Sequence, residues 1–448
     1  MKKECKIAFA TTLSGRWPRE LPQNRLEGYS SWLKKEFSEK NCIIFPRIID
    51  SVDSASEAVS CFKKGEADIV IMLYGAFTGD DIPCALAEGL GLPVILWAPY
   101  EPPFERETRL FANALVSATM NAAALHRIGC KCHVLYGSLE DSRVVSRLKS
   151  LISAYNVIKS MRSTLFGLLG YRPTAFYNCA FDEALIRRTF GIRMEETDLK
   201  VIFDRMEQIP EKQVAEDEKQ IAEKYDVSKL PEHHLENHSR LYYAMKQVIA
   251  EQGYDFATIK CWPEMGNLKA TPCAVLGRLA DDGESVICEG DVDAGLATIV
   301  QRYLTGLPTF IADMINIDEE KNLLTYWHCG NPAPSLFDTR DGITINNHPL
   351  AGQGTAFYGA LKPGDVTIAR FCNIGNVYKL FLMRGEAVET KRNTRGAMAQ
   401  VKVKTPVREL MEKIFDAGIA HHYSLVWKDV ADEMKMVAQL LGIEVLEF

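Results

Sequence analysis

The chain is predicted to fold as α/β, with two doubly wound parallel-sheet α/β domains followed by a β-rich, barrel-like C-terminal domain. Three observations carry this expectation. Apolar runs alternate with amphipathic stretches through the first 300 residues, as strands and crossover helices do. Several runs, DIVIMLYGAF and PVILWAPY among them, are apolar throughout, as strands buried on both faces require. After about residue 306 the texture changes to short β-rich runs broken by Gly, Pro and Asn, including LLTYWHCG, GITINNH and DVTIARFCNIGNVYKLFLMRGEAV. The expected boundaries are 1–160, 161–305 and 306–448, and 448 residues are ample for two or three domains.

In order along the chain, KIAFATTL reads as the first strand and 25–40 as a helix, CIIFPRIID as the second strand and 55–66 as a helix. A helix over 81–91 separates the two apolar strands, and a long one over 108–128 precedes a strand at CHVLYGSL. Residues 143–162 continue the alternation as a helix, followed by TLFGLLGY. The highly charged stretch 198–224 reads as a single solvated helix, and 232–252 as another. The latter carries His233, His234 and His238, and the polarity of its sequence predicts surface histidines rather than a metal site. A helix over 429–441 closes the chain.

Composition excludes several classes. The net charge is −7 and no run is rich in lysine or arginine, so no nucleic-acid partner is expected. No stretch approaches 18 consecutive apolar residues, so no membrane span is expected. The opening MKKECKIAFATTLSG reads as a buried strand rather than a signal peptide, because charged residues follow a short apolar run. Twelve scattered cysteines without a CxxC predict reduced thiols, and with them a cytoplasmic setting. No GxGxxG follows the first strand and neither GxxxxGK[ST] nor GxSxG occurs, which disfavours nicotinamide, nucleotide-triphosphate and serine-nucleophile chemistry.

The candidate chemistry lies in 254–306. YDFATIK reads as a strand ending in the loop CWPEMG, and SVICEGD as a strand ending in a turn before a helix. Glu264, Glu289 and Asp291 therefore follow the C-terminal ends of two strands, where open α/β sheets bind ligands. Carboxylates with an imidazole suit a hard divalent cation, although each acid alone also reads as a loop or capping group, Asp291 most readily. The imidazole candidates are His328 in TYWHCGNPAP and the pair His421–His422 in GIAHHYSLVW, and adjacency leaves open which of the pair points inward.

These residues resemble the L-arabinose and L-fucose isomerase family of metal-dependent aldose–ketose isomerases. PEMGNLKATPCAVLGRLADDG followed by CEGDVDAGLAT is similar in order and spacing to the family's acidic loop, helix and strand; NHPLAGQGTAFYGALKPGDVTIARFCNIGNVYKLFLMRGEAV resembles its β-rich C-terminal domain, and GIAHHYSLV its histidine segment. The resemblance implies metal ligation by Glu264, by Glu289 or Asp291, and by His422. It implies a catalytic acid/base role for Glu264 and Asp291 and substrate contacts from His328, Trp262, Asn331 and His421. The strand matching FIADMINID carries Asn316 and Asp318 where arabinose isomerases have a histidine, which points away from L-arabinose as substrate.

The family's cofactor is a divalent metal, Mn2+ first and Co2+ or Mg2+ next, and its mechanism moves a proton between C2 and C1 through an enediol. The family also implies a homo-oligomer, trimer or hexamer, in which a neighbouring subunit's N-terminal domain completes the site. Arg16 and Trp17, with Arg19, are the candidate contributors, and two arginines there would suit an anionic sugar, as a deoxy sugar is also suited by the family's range. Two rivals share the scaffold: a metal-dependent sugar lyase (aldolase or dehydratase) and a non-catalytic sugar-binding protein.

Overall fold

The computed structural model describes residues 2–15, 17–101, 110–340 and 342–448. Two compact units divide the chain, Lys3–Asn156 and Val157–Phe448. The first is built on β1 (Ile7–Thr12), β2 (Cys42–Ile44), β3 (Ile69–Tyr74), β4 (Val94–Ala98) and β5 (Cys132–Tyr136). All are parallel, in the order β2-β1-β3-β4-β5. Strands β1, β3 and β4 are buried at every position, which is why their sequences are continuous apolar runs rather than alternating ones. The helix Val52–Lys64 starts on a capping box in which the Ser51 hydroxyl accepts from the Ser54 amide. Trp17 packs on Leu13, Ile48 and Ala76 in this unit. Arg16 lies outside the described residues, as do the first residues of the expected 108–128 helix, which is seen as Ala114–Arg127.

The second unit begins with another parallel sheet, β6 (Leu165–Leu169), β7 (Arg193–Thr197), β8 (Phe256–Ile259) and β9 (Val286–Cys288), in the order β7-β6-β8-β9. Both parallel sheets therefore wind outward in two directions from their first strand, as the alternation of apolar runs predicts. The charged stretch expected as one helix is two, Leu199–Glu207 and Glu211–Lys224, because Pro210 interrupts the backbone hydrogen bonding between them. The expectation of surface histidines holds for His233 alone. His234 and His238 are buried, and His238 Nδ1 lies 2.7 Å from the Thr355 hydroxyl while Nε2 faces Arg278 at 3.0 Å. A helix face, not the local polarity, decides their burial.

The C-terminal strands are β10 (Thr309–Asp318), β11 (Leu323–His328), β12 (Thr344–Asn346), β13 (Ala356–Ala360), β14 (Gly364–Ile374), β15 (Val377–Val388), β16 (Ala397–Lys402), β17 (His422–Val426) and β18 (Glu444–Glu447). They pair in the order β12-β13-β16-β11-β10-β17-β14-β15-β18, and an added β15–β16 pairing closes the central strands into an antiparallel barrel. Its filling is apolar and includes Phe310, Tyr326, Phe381, Tyr423 and Leu425. The closing helix spans Ala431–Leu441. All twelve cysteines are free thiols.

Candidate active site

Strand pairing brings the functional groups to one rim of the barrel. In the β11-β10-β17 register Asp313 lies opposite Trp327 on one side and opposite His422 on the other, and His328 ends β11. His422 is 1% exposed, and its Nε2 lies 3.2 Å from Glu289 Oε2 and 3.4 Å from Asp313 Oδ1. Glu289 reaches this rim from the end of β9. Its backbone is left-handed at φ 64°, and Gly290 follows at φ 63° with the Tyr171 carbonyl 2.2 Å from where a Cβ would stand, so only glycine fits there. The tight left-handed pair turns the Glu289 carboxylate toward the barrel.

Behind His422 stands Asp291. It caps the helix Val292–Thr305 by accepting from the Ala294 amide at 3.0 Å. The same carboxylate accepts from Arg370 Nη1 at 2.8 Å and Nη2 at 3.1 Å, and pairs with His422 Nδ1 at 2.8 Å. The sequence reads Asp291 both as a helix cap, which the bond from Ala294 bears out, and as a proton carrier or metal ligand. Its oxygens are engaged by a backbone amide, a guanidinium and the imidazole, an arrangement suited to orienting His422, and it also belongs to the trio Cys179–Asp291–His422 whose ligand atoms lie within 4.8 Å of one another. The carboxylate on Nδ1 fixes the imidazole so that Nε2 faces Glu289 and Asp313 at the rim.

The electrostatics follow from these contacts. Burial alone would raise the Asp291 carboxyl, but the charge of Arg370 and the bond to His422 outweigh it and hold the group far below its usual range. Burial raises Glu289 as well, and the hydrogen bond and charge of His422 reverse the sign. Burial disfavours charge on His422, yet Asp291, Cys179 and Glu289 together push its pKa well up. His328 is likewise raised against burial, by Cys329 and by the charges of Asp313 and Glu289. The rim thus concentrates negative charge around buried imidazole. Asp313 Oδ1 and His328 Nδ1 are both buried without a hydrogen-bond partner.

The trios whose ligand atoms come within 4.8 Å of one another include Glu289–His328–His422 and Asp313–His421–His422. Each of these trios joins one carboxylate to two imidazoles, a donor set that fits a borderline divalent cation. Glu264 belongs to none of the trios found among the described residues. It opens the short helix Glu264–Asn267 in the loop after β8, with Oε1 2.5 Å from Lys260 Nζ, while Oε2 is buried without a partner. Burial raises its carboxyl, and the Lys260 ammonium outweighs this and holds it below the usual range.

A cavity of about 380 Å³ lies between this loop and the rim, lined by Trp262, Asn267, Glu289, Cys329 and His348 among others. The Phe176 ring packs edge-on against both Trp262 and His421, with centroids 5.6 and 5.9 Å apart. His421 is half-exposed, and its Nδ1 lies 3.0 Å from Asn178 Nδ2. Asn331 donates to the Ile311 carbonyl at 3.3 Å, leaving Oδ1 buried and unpartnered. Trp17 belongs to the other compact unit.

Asp313, Arg370, Lys260 and Phe176 were not anticipated. Asp313 occupies the strand where arabinose isomerases carry a histidine, and looking for an imidazole there overlooked it. A signal was available in the lone acid that follows the buried run Phe310–Ala312.

Residues 327–448 match the family described as the C-terminal domain of L-fucose isomerase. Over 406 residues the chain is 28% identical to a sulfoquinovose isomerase of Alkalicoccus urumqiensis, covering 89% of each chain. It is 27% identical over 417 residues to a sulfoquinovose isomerase of Priestia aryabhattai, covering 92% of each. A third sulfoquinovose isomerase, from Clostridium sp. (strain MSTE9), is 27% identical over 358 residues, 79% of this chain and 80% of its own.

Proposed function

We infer that this chain, whose C-terminal domain is that of the L-fucose isomerases, is an aldose–ketose isomerase acting on an anionic sugar, with the sulfonated hexose sulfoquinovose as the substrate to test first. One observation carries the reading beyond similarity. Glu289, Asp313 and His422 converge at the barrel rim with Asp291 holding the far side of the imidazole.

Glu289, Asp313 and His422 would hold a divalent ion, Mn2+ first and Co2+ or Mg2+ next. Both carboxylates approach the same imidazole nitrogen, His422 Nε2, at 3.2 and 3.4 Å, and that shared approach supports the assignment. Such an ion, when bound, supplies positive charge beside O1 and O2 of the sugar, where negative charge develops as the C2 proton leaves.

The remaining work falls to the chain itself. Glu264 is assigned the proton transfer from C2 to C1: Lys260 keeps its carboxylate ionised and fixes one oxygen, and the other has no partner to give up. His328 and Asn331 offer unpartnered polar atoms for sugar hydroxyls. Trp262 and His421, joined through Phe176, form an aromatic wall against which a sugar ring packs. A homo-oligomer whose neighbouring copies complete the cavity is part of this reading, and light scattering measures its size.

The deciding experiment incubates the protein with sulfoquinovose and Mn2+ in deuterium oxide and follows the sugar by NMR. The expected outcome is a ketose of the same carbon count carrying solvent deuterium. Shorter fragments or a dehydrated product would establish the lyase instead, and tight metal-independent binding without turnover would establish a sugar-binding protein.

A further inference from the structure

The cavity beside Glu289 has no arginine or lysine in its described lining. An anionic sugar needs a cation for its charged end, because a sulfonate or phosphate is costly to desolvate unpaired. A second cavity, of about 440 Å³, adjoins the first and shares His348 with it. Its lining includes Lys229, Arg392 and Arg395, with Tyr358 and, among the described residues, a single carboxylate, Asp226. The Asp226 carboxylate is turned to its own loop, where it accepts from the Ser228 amide at 2.9 Å.

None of the three cations forms an ion pair with an acid among the described residues. Other surface arginines of this barrel do: Arg340 pairs with Asp338 and Glu389, Arg384 with Asp429, and Arg408 with Glu319. The guanidinium of Arg392 lies 5.5 Å from the centroid of the Tyr358 ring. Tyr358 is itself buried and donates to the Asn347 carbonyl at 2.7 Å, so this platform is rigid. The Arg395 carbonyl accepts from Trp327 Nε1 at 2.6 Å. Gly396 then runs so close to β11 that a Cβ there would stand 2.6 Å from the His328 carbonyl, at a backbone φ of 89°. The arginine loop is thereby fastened to the strand end that carries His328. His348, the divider, accepts from the Leu350 and Ala351 amides through Nδ1, at 3.3 and 3.1 Å.

We propose that Arg392, Arg395 and Lys229 form the subsite for the anionic group at the far end of the sugar, a sulfonate, phosphate or carboxylate, while its C1–C2 end lies beside Glu289. The proposal rests on the isomerase reading for the sugar, whereas the anion site stands on its own geometry. Two guanidiniums without counter-ions, one stacked on a fixed ring, match the planar forked recognition of such oxygens.

The test compares the wild-type chain with R392A/R395A, and with K229A and R392Q as milder variants should the double variant fold poorly. The first readout is binding of methanesulfonate and of inorganic phosphate, followed by NMR of the whole protein. Saturable binding is expected in the wild type and its loss in the double variant, and binding that survives in R392A/R395A overturns the subsite. The second readout is the ratio of kcat/KM for sulfoquinovose over that for D-glucose. Loss of charge-assisted hydrogen bonds should lower it about 10–100-fold, chiefly through KM. If the wild type isomerises sulfoquinovose and the ratio is unchanged in the variants, the subsite is wrong and the isomerase reading stands. If the wild type isomerises neither sugar but methanesulfonate binding requires the arginines, the subsite stands and the isomerase reading falls. Glucose 6-phosphate in place of sulfoquinovose tells a phosphate preference from a sulfonate one.

Discussion

Replacing Asp291 with Asn tests whether this carboxylate serves the site through His422 and Arg370. Asp291 is fully buried and Arg370 is 1% exposed, so neither charge has water to fall back on. The substitution keeps the side-chain oxygen that caps the helix Val292–Thr305, since Asn caps about as well as Asp. What it removes is the negative charge facing Arg370 Nη1 and Nη2 and His422 Nδ1. Breaking one side of a buried pair costs about 3–5 kcal/mol because the other charge is stranded. Asp291→Ala loses the cap as well, for about 1 kcal/mol more.

Arg370→Met should be costly alone, yet the double variant Asp291→Asn/Arg370→Met strands no charge. It should therefore be less destabilised than the two singles summed, with a coupling of about 3 kcal/mol. Guanidinium unfolding of the four proteins at pH 7 measures this, with attention to whether the denaturant slope stays constant. At that pH the contribution of Asp291 is fully present. A carboxyl whose folded pKa is depressed stabilises above its unfolded value near 3.9, and the contribution disappears as pH falls toward the folded value. In the same proteins Asp291→Asn should weaken Mn2+ binding or activity about 10–100-fold, as loss of an imidazole's supporting carboxylate does. A destabilisation below 1 kcal/mol, or additive single variants, would refute the account.

Other expectations concern the acids one at a time. Glu264→Gln should lower kcat by several orders of magnitude with unaltered Mn2+ affinity, whereas Glu289→Gln should weaken Mn2+ binding measured by electron paramagnetic resonance. The reverse pattern would exchange their roles. Asp293 is buried, accepts from Tyr378 and from the Asn373 amide at 2.9 and 3.3 Å, and is pushed up by burial to about 6. A carboxyl raised on folding stabilises at low pH and loses that contribution as pH rises through its folded value. The contribution of Asp293 should thus fall by about 3 kcal/mol between pH 4 and 7, so the wild-type-minus-variant stability difference should drop by that amount across the range in a comparison with Asp293→Asn. A wild-type-to-variant difference that does not change across that range would count against it. Exhaustive chelation should abolish isomerisation, with Mn2+ restoring it. Asp313→Ala should raise the Mn2+ concentration needed, and full activity in chelated protein would remove the metal from the mechanism.

The layer order was legible because strands buried on both faces cannot be written without long apolar runs, as IVIMLY and VILWA attest, and because the β-rich tail is punctuated by Gly, Pro and Asn. Glu289 and His422 stand out in the sequence by strand-end position and family resemblance, and the structure brings them within 3.2 Å of each other. Their companions do not stand out. Asp313 meets His422 only through the β10–β17 register, across more than a hundred residues of chain, and register is a property of paired strands rather than of either sequence. The same holds for Asp291, which by spacing looks equivalent to Glu289. Two residues in a left-handed turn send Glu289 to the rim, while Asp291 turns back to cap a helix and meet Arg370 from β14. The sequence by itself determined which chemistry is present, carboxylates with imidazole after parallel strands. Only the tertiary structure decided which carboxylate meets His422 Nε2 at the rim and which meets Nδ1 behind it, because that division depends on backbone conformation and strand register, neither of which local residue pattern encodes.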